Sequence, residues 1–136
     1  MASMLFNSVV RGLMTGLINF DRDQFGVVLL TSEYEPDKNH TRRSDLTNEV
    51  VGEGYREGGA IVDVALVQSE DNAMDIKLGG YLWVRATITA SYAAYFKRNG
   101  GDAFDDELVA LIDFRRDIIS TIGNFTLDES KLRVVG

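Results

Sequence analysis

The sequence contains no cysteine, and this absence excludes several kinds of chemistry at once. Without a thiol the chain can form no disulfide, no thiolate nucleophile and no thiolate-ligated metal site. Proline is almost as scarce, with Pro36 as the single example. Because no covalent cross-link is available, the stability of the fold has to come from packing and from assembly.

Histidine is represented by His40 alone. Catalytic triads, histidine-carboxylate zinc sites and most proton shuttles need a histidine held by a convergent partner, so any such site would have to use this residue. We expect His40 to be an exposed loop residue. Asp21 and Asp23 lie in another loop without EF-hand spacing and are expected to be solvated, so we predict no metal ion and no other cofactor.

Long apolar runs are also missing from the sequence. No stretch approaches the roughly 18 apolar residues that a membrane-spanning helix requires, so we expect no membrane partner. Met1–Phe20 carries Arg11 early and has no clean apolar segment before a small-residue cleavage site. We therefore expect no secretory signal there.

Basic residues are outnumbered, with 14 Lys and Arg against 21 Asp and Glu and a formal net charge of -7. Nucleic-acid phosphates favour a basic surface and repel an acidic one, so we predict no nucleic-acid partner. The length of 136 residues and the hydrophobic content of 45% are typical of one globular unit with its own core. We therefore assign residues 1–136 to a single domain.

Apolar residues at the N-terminus recur at helical spacing and predict a helix over Met4–Leu17, within an N-terminal helical segment of residues 1–20. Gly12 and Gly16 weaken this helix, so its support is expected to come from tertiary or intersubunit packing. Its apolar stripe either covers the end of the core or docks in part on a neighbouring subunit.

Strand signals alternate with turn residues in the rest of the chain. The predicted strands are Phe25–Thr31, Gly59–Val67, Met74–Leu78, Ala86–Phe96, Leu108–Phe114, Phe125–Leu127 and Leu132–Val135, and the predicted turns are Tyr34–Asn39, Ser44–Glu49, Ser69–Asn72 and Lys97–Asp102. Arg115–Asp117 is expected to break the apolar run before it. Alternate residues of Ala86–Phe96 are apolar and are expected to share one face, and Trp83 is expected to be the largest core side chain.

Short strands at regular intervals, one helix and glycine-rich turns predict a mainly β fold. We expect a jelly-roll-like antiparallel β-sandwich with one N-terminal helix. Thr41–Ala60 combines charge with several glycines and is expected to form a shaped loop between strands. It lacks the GxxxxGK[ST] pattern and precedes a strand, so it does not predict a phosphate-binding loop.

Catalytic residue types do not form a convincing set. His40, Ser44 and Asp45 lie too close together in one loop for the usual triad geometry. Asp105 and Glu107 belong to an acidic surface and are weak evidence for a glycosidase pair. We therefore predict that the protein is not an enzyme. A small polysaccharide-binding or hydrolytic enzyme stays open, and glycan hydrolysis lost on substitution of Asp105 or Glu107 would support it.

An ordered series of motifs runs through most of the chain. The series comprises Asn19–Asp21, Phe25–Ser32, Tyr34–Pro36, Arg43–Val50, Gly52–Tyr55, Gly58–Gly59, Asp106–Ala110 and Asp113–Phe114. In this order the motifs resemble a group of small virion proteins of tailed bacteriophages, of the capsid decoration or cement type. The resemblance implies a β-rich module on the outer capsid surface of the virion that clamps neighbouring subunits of the major capsid protein. It also implies self-association, as a homodimer or homotrimer at local symmetry axes.

The candidate contact residues for such partners are Phe6, Val10, Arg43 and Tyr55, because large apolar and arginine side chains dominate interface energetics. Arg43 and its neighbour Arg42 equally fit a solvated charge pair. The alternative function is a phage tail, neck or receptor-binding structural module, since no residue decides between shell and tail. Copy number separates the two: decoration needs many copies per particle, and a neck or tail ring needs few.

Overall fold

The computed structural model describes residues 2–68 and 73–135. Its strands form two antiparallel sheets, and one α-helix lies near the N-terminus. The mainly β, sandwich-like fold with one N-terminal helix is therefore confirmed. The predicted turn Ser69–Asn72 lies outside the described residues.

The described part of the chain contains eight strands and one α-helix. In chain order they are β1 (Ala2–Leu5), α1 (Asn7–Thr15), β2 (Phe25–Leu30), β3 (Ala60–Val62), β4 (Val64–Gln68), β5 (Ala73–Leu78), β6 (Tyr81–Lys97), β7 (Glu107–Leu127) and β8 (Ser130–Val135). The larger sheet has the order β1-β7-β6-β2-β3 and the smaller has the order β4-β5-β8. No described helix is long and apolar enough to cross a bilayer.

The N-terminus begins with a strand where the sequence predicted a helix over Met4–Leu17. β1 pairs antiparallel with β7, with Leu5 opposite Ala110, and α1 starts only at Asn7. The prediction was wrong for the first residues because the edge of β7 offers ladder hydrogen bonds, which outweigh a weak local helix preference.

Two apolar cores lie on opposite faces of the larger sheet. On β2, alternate residues such as Val27 face one cluster, which also contains Val64, Ile76 and Leu78 of the smaller sheet. The residues between them, such as Val28, face a second cluster. β2 is therefore buried along its whole length, and the predicted strand is confirmed to within one residue.

β7 is continuous where the sequence predicted a break at Arg115–Asp117. Arg115 (φ 62°) and Ile122 (φ 44°) both adopt the left-handed backbone region, and the register against β6 shifts near each of them. The charged triplet therefore forms a bulge that bends the strand without ending it, because pairing with β6 resumes beyond it.

This bulge also divides the predicted apolar face of Ala86–Phe96 between the two cores. Ala90 and the alternate residues before it pack in the first cluster with Trp83, whereas Ala94 and Phe96 pack in the second. The expectation of one uniform face was wrong, because a period of two persists only in a strand without bulges. Trp83 lies in the core as expected.

The predicted strand Gly59–Val67 is split between the sheets at Asp63. β3 belongs to the larger sheet and β4 to the smaller, and Asp63 joins them. The backbone N–H of Gly79 donates to the Asp63 carbonyl at 2.7 Å. This close approach lets one run of chain change sheets, which pattern alone did not reveal.

The long connection between β2 and β3 folds back along the sheet as a shaped loop. Its helical turn is a single 3-10 turn at Arg43–Asp45, shifted from the predicted Ser44–Glu49. The Asp45 carboxylate accepts hydrogen bonds from the backbone N–H groups of Thr41 (2.9 Å) and Arg42 (3.1 Å). The turn therefore starts earlier than predicted because Asp45, three residues after Arg42, supplies the cap.

Candidate protein interaction site

α1 is held to the fold by one narrow side. Phe6, just before it, donates its backbone N–H to the Val109 carbonyl at 3.1 Å. Val9 and Gly12 are the buried residues of the helix, and Ile18 packs against Gly12 so closely that a side chain there would collide with it. Gly16 ends the helix in the left-handed conformation at φ 78°.

The opposite side of the helix carries an apolar stripe that faces solvent. The helix stripe consists of Val10, Leu13, Met14 and Leu17, whose exposed fractions are 54%, 37%, 83% and 51%. The spacing i, i+3, i+4 places Val10, Leu13 and Met14 on one face of α1, and Leu17 follows just after Gly16, where the helix has ended. Contiguous exposed apolar residues typically mark a protein contact, whereas single apolar residues scattered over a surface do not.

A concavity of about 330 Å³ lies beside the helix stripe and is partly charged. Leu17 and Arg11 contribute to its wall from the helix side, and Arg42 and Glu107 line the other side. Arg42 Nη1 lies 3.2 Å from Glu107 Oε1, and the Arg42 side chain is 43% exposed. The stripe is therefore bordered by a polar rim that includes an arginine, a composition typical of interfaces.

Of the four candidate contact residues, only Val10 lies on this surface. Phe6 has no exposed area and belongs to the second core cluster, so its assignment as a contact residue is corrected. Phe6 lies at the junction between β1 and α1, and its side chain packs inward there. No sequence pattern distinguished it from the apolar residues of the helix. Phe6 is therefore buried just before the helix, whereas Val10 is exposed on it.

Arg43 makes its contacts inside the molecule. Its Nε lies 2.7 Å from Asp106 Oδ2, and the guanidinium stacks over the Phe96 ring at 5.1 Å from the ring centre. The Arg43 side chain is 15% exposed and that of Asp106 is 1% exposed. The expected solvated pair of Arg42 and Arg43 is therefore corrected, since each pairs with its own acidic residue of β7 or the loop before it.

Tyr55 also makes internal contacts. Its hydroxyl donates to Glu49 Oε2 at 2.5 Å and accepts from the Leu29 backbone N–H at 3.1 Å. Burial raises the pKa of Tyr55, and the hydrogen bond and charge of Glu49 raise it further. The Gly58 N–H donates to the same carboxylate oxygen at 2.9 Å, so this network shapes the loop before β3.

His40 lies in a loop, as expected, but it is half-buried and not exposed. Its Nδ1 lies 3.0 Å from the Tyr34 hydroxyl, and its Nε2 lies 3.8 Å from Asp37 Oδ2. Burial raises the pKa of Tyr34 to about 12. Hydrogen bonds from the backbone N–H groups of Thr41, which has the larger effect, and Arg42 hold the pKa of Asp45 below its usual value.

Of the carboxylates considered for catalysis, Asp45 caps a turn and Glu107 forms an ion pair, and the adjacent Asp106 also has internal contacts. Asp106 binds Arg43 and also accepts from the Asn99 backbone N–H at 2.8 Å, and Glu107 binds Arg42. Within residues 2–68 and 73–135, no group of three or more metal-ligating side chains converges. The exposed apolar residues are therefore the most distinctive chemical feature of this surface.

The sequence reasoning missed Met14 and Leu17 as site residues. Almost every third or fourth residue of the N-terminal segment is apolar, so periodicity shows that a stripe exists without showing which side is buried. Gly12 is the sequence signal that could have identified the buried side of the helix, because a residue without a side chain permits the close approach of Ile18.

Comparison with protein-family models finds no match, and neither the curated proteins nor the solved structures contain a match to this chain.

Proposed function

We propose that this protein is a structural virion protein that decorates the outer surface of a tailed-phage capsid and stabilises it by bridging major capsid subunits. The helix stripe is the observation that carries the proposal. Val10, Leu13, Met14 and Leu17 expose apolar area that the protein's own core does not use. The motif series that resembles decoration proteins directs this surface toward a capsid partner.

The energetics favour a partner that presents many equivalent sites. Fully burying a Leu, Met or Val side chain contributes about 1.5–3 kcal/mol, so half-exposed side chains contribute roughly 1 kcal/mol each. Association costs at least about 4 kcal/mol in lost rotational and translational freedom. One helix stripe therefore gives weak binding alone, and a bridging contact or a linked second copy raises the effective concentration.

The acidic charge is consistent with this position. A net charge of -7 opposes contact with packaged DNA, so the outer surface of the shell suits the chain better than its interior. The described residues also offer no convergent metal-ligating group, and the carboxylates near Arg42 and Arg43 are used in ion pairs. We accordingly propose a binding role and no catalysis.

Binding to shells tests the proposal. Purified protein is mixed with empty shells of its major capsid protein, and sedimentation and thermal unfolding of the shells are measured. We expect saturable binding and a higher unfolding temperature of the shells. Intact shells that bind no protein would reject the proposal.

Copy number distinguishes the two virion roles. Densitometry of purified virions gives the ratio of this protein to the major capsid protein. Decoration requires that the number of copies of this protein be a simple fraction of the number of major capsid subunits. A handful of copies per particle would favour a tail, neck or receptor-binding module.

A further inference from the structure

The second half of β7 has an unpaired edge. β1 pairs with β7 only at the residues opposite Ala2–Leu5, whereas β6 pairs with β7 as far as Leu127. No described strand pairs with Arg116–Leu127 on the side away from β6. Backbone N–H and C=O groups on such an edge are available to a further strand.

The exposure pattern of this edge is symmetric about its own centre. Along 117–126, positions 117, 119, 121, 122, 124 and 126 are exposed, and the four between them are buried or half-buried. Read from either end, this order of exposed and covered residues is the same, because the bulge at Ile122 places two exposed residues side by side. An antiparallel copy centred between Thr121 and Ile122 therefore keeps inward residues opposite inward residues.

Charge follows the same symmetry. Arg115 lies in the bulge before this stretch and Asp128 lies one residue past β7, so the two-fold arrangement brings Arg115 of one copy near Asp128 of the other at each end of the edge. Both residues are exposed, and neither forms an ion pair with a described residue. An acidic chain that would otherwise repel its own copy thus has opposite charges at both ends of this edge.

Apolar side chains also match across the proposed axis. Ile118 lies opposite Phe125, and both face the inner side of the sheet. Ile119 and Ile122, which are 69% and 78% exposed, become diagonal neighbours across the pair. An open concavity of about 210 Å³ runs beside Ile118 and Phe125, so the inner face has room for the side chains of a second strand.

We infer that this edge of β7 is a self-association site, where a second copy of the chain pairs antiparallel about a two-fold axis between Thr121 and Ile122. The two larger sheets then join into one continuous sheet. Because the bulge at Ile122 lies at the axis, the regular stretches 118–120 and 123–125 on either side of it pair with each other. The contact is short, so the dimer is expected to be weak and dependent on concentration.

This dimer specifies the self-association that the resemblance to decoration proteins implies, and in that respect it rests on the proposed function. The two can fail separately, however, because the dimer is measured with purified protein alone. A failed dimer leaves shell binding in place, and failed shell binding leaves the dimer in place.

Charge reversal tests the register. Sedimentation velocity over a wide concentration range is measured for the parent chain, R115E, D128R and the double variant R115E/D128R. We expect each single reversal to weaken the dimer about tenfold, because it puts like charges opposite each other twice. The double variant restores opposite charges and is expected to return to within about threefold of the parent.

R85E is the matched control. Arg85 is another exposed arginine with positive φ (50°), and it lies on β6, on the side of β7 opposite to the proposed ladder. We expect its reversal to leave the dimer unchanged. A parent chain that stays monomeric, a double variant as weak as the single variants, or an R85E dimer as weak as R115E would each overturn the inference.

Hydrogen exchange gives a second measurement that needs no variant. Backbone amides in 117–126 are followed at low and high protein concentration. Slower exchange there at high concentration supports the ladder, because pairing protects the amides of the edge. Exchange in this segment that is independent of concentration would overturn the inference even if a charge variant failed to fold.

Discussion

Arg43 and Asp106 form a nearly buried ion pair, with Nε 2.7 Å from Oδ2, that connects the loop before β3 to the start of β7. Removing one partner leaves the other charge buried and unpaired, which typically costs about 3–5 kcal/mol. We expect Arg43→Ala to lower the free energy of unfolding by about that amount, measured by urea denaturation.

The neighbouring Arg42 provides the control for this prediction. Its pair with Glu107 is more exposed, so Arg42→Ala is expected to cost less than about 1 kcal/mol. Equal losses for the two alanine variants would show that burial of the Arg43 pair contributes nothing special to stability.

Gly59 is required by both backbone angle and space. Its φ is 74°, and a side-chain carbon there would overlap the carbonyl oxygen of Val27. We expect Gly59→Ala to destabilise the protein by about 3 kcal/mol or more, because strain at positive φ and displacement of β2 add together. Thermal and urea unfolding measure this loss.

Gly100 separates the two contributions. It also has positive φ, at 82°, but a side chain there would meet nothing within 4 Å. Gly100→Ala is expected to cost only about 1 kcal/mol. If Gly59→Ala were as mild as Gly100→Ala, the close approach to Val27 would not constrain the fold.

The raised pKa of Tyr34 predicts that the free energy of unfolding decreases at alkaline pH. Burial raises its pKa to about 12 in the folded protein, above the ordinary value of 10.0. The folded state therefore keeps the Tyr34 proton to higher pH than the unfolded state does. The resulting contribution to the free energy of unfolding is complete below pH 10.0 and is lost as pH rises toward about 12.

The Tyr34→Phe variant isolates this contribution. It has no phenol to ionise at position 34, so its unfolding free energy is expected to fall less steeply with pH over the same alkaline window. Urea denaturation at several pH values measures both slopes. Parallel curves for the parent chain and Tyr34→Phe would contradict the assignment.

Met14 is the most exposed residue of the helix stripe, at 83%. Met14→Glu is expected to leave the free energy of unfolding within about 0.5 kcal/mol, because an exposed side chain loses little on substitution. It is expected to weaken shell binding by about tenfold or more, since a charge would enter an apolar contact. Cosedimentation with shells measures the affinity.

Leu82→Gln is the comparison for Met14→Glu. Leu82 is an exposed apolar residue of β6, 47% accessible, and lies outside the helix stripe. Its substitution is expected to leave shell binding unchanged. Equal effects of the two substitutions would mean that general surface hydrophobicity, and not the helix stripe, controls binding.

The parts of the fold that could be predicted from the sequence are those where local pattern and tertiary context agree. β2 and β5 were predicted nearly to the residue because β2 is apolar along its buried length and the apolar residues Ile76 and Leu78 of β5 are buried. β1 was missed because its pairing partner lies more than 100 residues away. The bulge at Arg115 was interpreted as a break because charge alone does not show that the chain resumes its pairing.

The candidate site was predictable only in outline. An apolar stripe in the N-terminal segment was evident, and Val10 does lie on its exposed side. Phe6 and Arg43 could not be separated from surface residues, because burial of Phe6 depends on the second core and burial of Arg43 depends on Asp106. Such long-range contacts leave no mark in local spacing.

At its N-terminal end, α1 is joined to the larger sheet by a single residue between β1 and α1. β1 ends at Leu5, α1 begins at Asn7, and the Phe6 side chain is buried between them. A tensile load applied through a partner bound to the helix would act on the hydrogen bonds between β1 and β7 and on the packing of the Phe6 side chain. We therefore expect β1 to peel from β7 before the sandwich core yields, after which the load passes through residues 16–24 into β2.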